Sequence, residues 1–179
     1  MKNVVLGVTG SIAAHKAVDL TSQLVKHGCA VHVVLTSDAL KFLTPLPFRT
    51  LSQHPVVSDL YDEEAGWKPM HIKLADEADL LLIAPITANK IAKLAVGIAD
   101  DALTCIALAL DPKCRMLLAP AMNGKMWLHP ATQENVQTLR RRGAEFLGPS
   151  EGMLSCGYEG LGRLWDVEKI ALRAMEMLS

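Results

Sequence analysis

The run from Asn3 to Val8 is apolar without polar alternation, and Thr9-Gly10-Ser11 follows it directly. After that turn, Ile12, Ala13, Val18, Leu20 and Leu24 recur among polar residues at helical spacing. A strand, a tight turn and a helix are therefore expected in that order, with Ser11 as the helix cap. His27-Gly28 supplies the stop, and a second apolar run, Ala30 to Leu35, comes next. Strands of this kind must be buried on both faces, and a helix between two of them is the crossover of a parallel pair. The chain thus begins with a βαβ unit.

The same pattern recurs further on. Leu80 to Ala84 reads as a strand ended by Pro85, and helix-forming residues run from about Ala88 to Ala95 and from Asp101 to Leu110. Arg115 to Ala119 is a further strand, and a late strand is expected over Ala144 to Leu147 after the basic helix end Arg140-Arg141-Arg142-Gly143. A last helix runs from about Asp166 to Met177. Alternation of this kind predicts an α/β fold with a mostly parallel sheet covered on both faces. The stretch 44–69 lacks periodicity and reads as a short helix plus loops over one edge of the sheet. From Gly148 to Gly162, glycines at 148, 152, 157, 160 and 162 predict a long flexible loop, of a kind that often serves as a lid.

Composition narrows the function. The 179 residues are the size of one domain, 1–179, and 18 Lys+Arg against 19 Asp+Glu leave a net charge of −1, which disfavours a nucleic-acid partner steered by bulk charge. Half the residues are hydrophobic, with three Trp, three Phe and two Tyr, so the core is aliphatic. Cysteines 29, 105, 114 and 156 make no C-x-x-C pair, which argues against structural zinc and leaves no metal expected. The start Met1-Lys2-Asn3 leads straight into a strand without signal-peptide features, so a reducing, cytoplasmic setting is expected. The apolar runs fall short of the ~20 residues of a membrane span, so no membrane partner is expected.

In a doubly wound sheet the ligand sits beyond the C-terminal ends of the strands. Those ends are Gly7-Val8-Thr9-Gly10-Ser11, Thr36-Ser37, Pro85-Ile86-Thr87-Ala88-Asn89 and Pro120-Ala121-Met122-Asn123. Hydroxyls beside helix starts suit an anionic group, most often a phosphate, although they also occur simply as caps. The first turn is not a full G-x-G-x-x-G, there is no P-loop lysine, and the second strand ends in Thr36-Ser37 rather than a ribose-reading carboxylate. A mononucleotide is favoured over a dinucleotide.

Five segments in order carry a family resemblance: Gly10-Ser11-Ile12-Ala13-Ala14-His15-Lys16, His71-Ile72-Lys73-Leu74, Pro85-Ile86-Thr87-Ala88-Asn89-Lys90, Pro120-Ala121-Met122-Asn123-Gly124-Lys125-Met126-Trp127, and Cys156-Gly157-Tyr158-Glu159-Gly160-Leu161-Gly162-Arg163. The chain resembles the FMN-dependent cysteine decarboxylases, and within them the branch that turns 4′-phosphopantothenoylcysteine into 4′-phosphopantetheine in coenzyme A biosynthesis. The most specific element is P-x-M-N-x-x-M-W, which joins three uncommon residue types at fixed spacing. The resemblance implies a flavodoxin-like, Rossmann-like three-layer sandwich. It also implies a homo-oligomer, a trimer or a dodecamer of trimers, with FMN and the active site at the subunit contact.

On the same resemblance Gly10, Ser11 and Ile12 approach the flavin, Ser37 binds its phosphate, and Thr87, Ala88 and Asn89 line the flavin site. His71 is the base that assists oxidation of the substrate thiol to a thioaldehyde, which makes loss of CO₂ easy. Asn123 holds the substrate carboxylate or amide, with Met126 beside it, and Cys156 protonates the enethiolate as the substrate is re-reduced. Lys16 or Arg163 is a candidate for the substrate phosphate, with an ordinary solvated cation as the alternative in each case. His15, Ile86, Lys90, Ser155 and Tyr158 depart from the usual family pattern, and those around Cys156 bear on the substrate. Three other readings share the fold. They are an oxidative decarboxylase of a peptide C-terminal cysteine, a non-catalytic regulatory subunit, and a flavin prenyltransferase that would need neither His71 nor P-x-M-N-x-x-M-W. Cys156 in its glycine-rich loop argues against the first.

Overall fold

The apolar runs become the strands β1 (Asn3–Val8), β2 (Ala30–Leu35), β3 (Leu80–Ile86), β4 (Arg115–Pro120) and β5 (Glu145–Phe146) of the computed structural model. The structure describes residues 1–61, 67–153, 157 and 159–179. These strands form one sheet in the order β2-β1-β3-β4-β5, and every neighbouring pair is parallel. The helices are α1 (Lys16–Lys26), α2 (Pro45–Ser52), α3 (Met70–Glu77), α4 (Ala88–Val96), α5 (Ala102–Ala109), α6 (Gly124–Leu128), α7 (Pro130–Arg141) and α8 (Val167–Leu178).

The strands read as unbroken apolar runs because they supply two cores, one on each face of the sheet. Val4, Leu6 and Val8 of β1 and Leu80, Leu82 and Ala84 of β3 pack with Ala17, Leu20 and Leu24 of α1 and Ile170 and Ala174 of α8. Val5, Leu81, Ile83 and Leu118 face the other way, onto Leu74 of α3, Ile91 of α4, Leu103 and Ile106 of α5 and Val136 of α7. The result is the expected α/β/α sandwich, with the period-2 pleat deciding which core each side chain joins.

Within the stretch 44–69, α2 and the residues around Val57 cover the β2 edge as expected. Phe48 of α2 is fully buried, and Val57 bridges to Val34, accepting from Leu35 N at 2.8 Å and donating to Val33 O at 3.0 Å. An otherwise open strand edge is thereby paired.

Three details differ from the sequence reading. Pro85 does not end β3; the strand runs to Ile86 with a register shift between Ile83 and Ile86, which accommodates the missing N–H. Ser11 caps a 3₁₀ turn, Ile12–His15, by accepting from Ala13 N, and α1 begins only at Lys16. The glycine-rich stretch contains an antiparallel pair, β6 (Ser150–Met153) and β7 (Glu159–Arg163), rather than an unstructured loop. Its root is fastened to the turn after β4, where Met122 N donates to Gly162 O at 3.0 Å. A Cβ on Gly162 would come within 2.1 Å of Met122 O, and the residue has φ +143, so glycine alone fits there.

Strand order reverses between β1 and β3, and this switch point positions the site. Thr9, 1% exposed, spans it: its Oγ1 donates to Pro85 O at 2.8 Å and accepts from Thr87 N at 3.1 Å. The backbone adds Thr9 N to Pro85 O at 3.3 Å.

Two substitutions test these anchors. Thr9→Val keeps the shape and the bond from Thr9 N to Pro85 O but leaves the half-buried Thr87 N without its acceptor, and should cost about 1–3 kcal/mol in chemical denaturation. Gly162→Ala should cost about 1–3 kcal/mol, seen as a thermal midpoint lowered by roughly 2–4 °C per kcal/mol.

Candidate functional site

A cavity of about 550 Å³ opens at the C-terminal ends of β1, β2, β3 and β4, within the size range of small-molecule sites. Its walls come from the turns after those strands and from the β6–β7 pair, through Met153, Gly162, Arg163 and Leu164.

The wall after β1 is Thr9 to Ala13. Gly10 packs so closely on the turn after β2 that a Cβ would lie 2.4 Å from Asp38 Cβ. Ser11 Oγ already accepts from Ala13 N at 3.3 Å, so its hydroxyl proton is what it can offer a ligand. Ile12 is 58% exposed. The wall after β3 is the start of α4. Thr87 is its N-cap, accepting from Lys90 N at 3.4 Å, and Ala88 and Asn89 follow in the first turn. The N–H groups of such a turn have no partner inside the helix and favour an anion.

The wall after β4 is Ala121, Met122 and Asn123, with Met126 from α6. Asn123 caps α6, its Oδ1 accepting from Lys125 N at 2.9 Å. The methionines and tryptophan of the P-x-M-N-x-x-M-W string divide their work: Trp127 is buried in the core, Met122 packs against that core while lining the cavity, and Met126 is 51% exposed.

Gly10, Ser11, Ile12, Thr87, Ala88, Asn89, Asn123 and Met126 therefore meet around one cavity. Ser37 is exposed and is not among the lining residues, although its neighbours Thr36 and Asp38 are. The Thr36 hydroxyl oxygen accepts from Ala39 N at 3.2 Å and so shapes the turn. His71 stands apart from the cavity in the first turn of α3, half-buried, with Nδ1 enclosed and lacking a hydrogen-bond partner. Cys156 lies outside the described residues.

Two charged features were not legible beforehand. Lys90, 5% exposed, lines the cavity and pairs with Asp101, the residue whose side chain caps α5 by accepting from Thr104 N. Burial pushes the Asp101 carboxyl up, but hydrogen bonds from Lys90 and from the Thr104 backbone and hydroxyl outweigh it and hold the group below the usual carboxylate range. Asp38 is held low as well, first by its hydrogen bond from Lys41. The pairing of positions 90 and 101 depends on how α4 and α5 dock, which no local pattern encodes. Among the described residues no group of three His, Cys, Asp or Glu could hold a metal ion, and no helix is long and apolar enough to cross a membrane.

Comparison with known proteins agrees with this geometry. The Coenzyme A biosynthesis bifunctional protein CoaBC of Bacillus subtilis is 48% identical over 169 residues, 94% of this chain and 41% of the relative, so the chain spans well under half of that protein. A probable phosphopantothenoylcysteine decarboxylase of Streptococcus mutans is 43% identical over 177 residues, 99% of each chain. Among solved structures, a Cys-to-Ser mutant of a PPC decarboxylase complexed with pantothenoylaminoethenethiol superposes with a TM-score of 0.87 at 31% identity, over 98% of this chain and 97% of that one. The FMN-dependent cysteine decarboxylase SpaF gives 0.86 at 32% identity, over 100% and 98%. Residues 1–178 match the Flavoprotein family, and with the parallel sheet, the switch-point cavity and its motif residues in place, the chain belongs to that family.

Proposed function

We propose that this chain is a phosphopantothenoylcysteine decarboxylase, which converts 4′-phosphopantothenoylcysteine to 4′-phosphopantetheine with FMN as cofactor. The observation that carries the reading is the convergence of the β1 turn, the α4 start and Asn123 with Met126 on one cavity. A relative of the same length, identical at 43% of positions, bears that name, which favours this activity over a peptide-cysteine decarboxylase or a regulatory subunit.

The residues present suit FMN. Ile12, Ala121, Met122 and Met126 offer apolar surface to a flat ring, while Ser11, Thr87 and the first N–H groups of α4 offer donors to its polar atoms and phosphate. Ser37, on the turn beside these, completes the phosphate ligands. Bound there, FMN would supply a reversible two-electron sink for the substrate CH₂–SH.

The protein groups position the substrate and move protons around that chemistry. Asn123 fixes the substrate carboxylate or amide, and Met126 packs against it. His71 takes the proton released as the thiol carbon is oxidised. Since His71 does not line the cavity of its own chain, it reaches the site of a second copy, and this is why the active enzyme is a homo-oligomer, a trimer or an assembly of trimers. Cys156 returns a proton to the enethiolate. The strands that precede and follow it in the sequence, β6 and β7, bring Met153 and Arg163 to the cavity, which supports a role for it in the substrate half of the reaction. The setting is the cytoplasm.

Anaerobic incubation of the purified protein with 4′-phosphopantothenoylcysteine tests the reading through product mass and flavin colour. A product lighter by CO₂ alone, with oxidised flavin regained, is expected. A product lighter by CO₂ and two hydrogens with bleached flavin would identify the oxidative peptide-type reaction, and bound flavin without turnover would identify a regulatory subunit. Cys156→Ser should release CO₂ yet stop at the enethiol, two hydrogens short. His71→Asn should lower kcat by about 10²–10⁴ while flavin stays bound.

A further inference from the structure

The residues lining the cavity include four cationic or ionisable bases, His15, Lys16, Lys90 and Arg163, and one acid, Asp38. Their charges are not equivalent. Lys90 is neutralised by Asp101, Asp38 by Lys41, and His15 spends Nδ1 on Ile12 O at 2.7 Å. Lys16 and Arg163 make no ion pair and no side-chain hydrogen bond among the described residues. Two uncompensated cations from separate elements, the start of α1 and the end of β7, thus face one cavity.

Their placement says which part of a ligand they meet. Arg163 is exposed and Lys16 half-buried, and Met126 and Met153, which line the same cavity, are 51% and 65% exposed. This is the outer part of the cavity, whereas the α4 start, with buried Lys90, forms its inner wall. The Arg163 side chain lies across the strand pair over Gly152, where a Cβ would come within 3.2 Å of its Cδ and 3.3 Å of Nη1. A glycine at 152 thereby leaves room for the guanidinium stem, and a guanidinium free of counter-charges among the described residues suits a phosphate.

Resting on the decarboxylase reading above, we propose that Lys16 and Arg163 form the subsite for the phosphate monoester at the far end of the substrate from its reacting cysteine. The cations act in binding, not in the decarboxylation step, and they make the 4′-phosphate a recognition element. Partner cations already neutralised by carboxylates contribute little to that choice, because the net field at an anion is set by the unpaired charges.

The test compares kcat/KM for 4′-phosphopantothenoylcysteine with that for pantothenoylcysteine, which lacks the phosphate, in holoenzyme carrying Lys16→Met, Arg163→Met or Arg163→Lys. The ratio of the two values should fall about tenfold for each methionine variant, with KM for the phosphorylated substrate rising, and should be partly retained by Arg163→Lys. Affinities of the apoproteins for FMN and riboflavin are measured alongside, and their ratio should not change. An unchanged substrate ratio, an equal fall for both substrates, or a fall in the FMN-to-riboflavin ratio instead would overturn the assignment, the last by giving the cations to the cofactor. Wild-type enzyme inactive on both substrates would overturn the decarboxylase reading itself. Arg163 is exposed, so its variants carry the test even if Lys16→Met fails to fold.

Discussion

The hydroxyl of Thr9 joins the two turns on which the site depends. By donating to Pro85 O and accepting from Thr87 N, it fixes the end of β1 against the end of β3 at the one place where the strand order reverses. A parallel sheet has to open a crevice there, because successive crossovers leave toward opposite sides. What the sheet does not set by itself is the width and relative height of the two turns. A buried hydroxyl that bonds both turns does so, since without it Thr87 N would lose its acceptor and the Pro85 carbonyl one of its two donors.

A second constraint comes from backbone packed directly on backbone. Gly162 of β7 touches Met122, and Gly124 at the start of α6 touches Leu161, with a Cβ on either meeting a carbonyl oxygen at 2.1 or 2.5 Å. The hairpin and the turn after β4 therefore behave as one wall of the cavity. The same wall carries Asn123 and Met126 on one side and Arg163 on the other. In the proposed reaction this couples the groups that hold the substrate to the strands on either side of Cys156.

Electrostatics divides the cavity by depth. Inside, Lys90 is buried and balanced by Asp101, which in turn caps α5, so the cation serves mainly to tie α4 to α5. A buried charge is tolerated only when paired. Lys16, half-buried, and Arg163, exposed, have no ion pair among the described residues, a state that costs little where water reaches the charge and leaves them available to an anionic ligand.

Much was legible in the sequence for local reasons. Unalternated strands, a helix stop at His27-Gly28 and hydroxyls at the strand ends are consequences of burial and backbone geometry within a few residues, and they determined the α/β class, the parallel sheet and the list of cavity turns. The motif strings pointed to the family because several uncommon residues at fixed spacing must serve one site. Tertiary structure alone decided the rest. It showed that Pro85 is absorbed into β3, that β6 and β7 pair antiparallel within the glycine-rich stretch, and that Lys90 meets Asp101. It also placed His71 away from the cavity of its own chain and, among the described residues, gave Lys16 and Arg163 no ion pair. Each of these depends on contacts between segments far apart in the chain, and such contacts follow from how helices dock on the sheet rather than from any pattern within one segment.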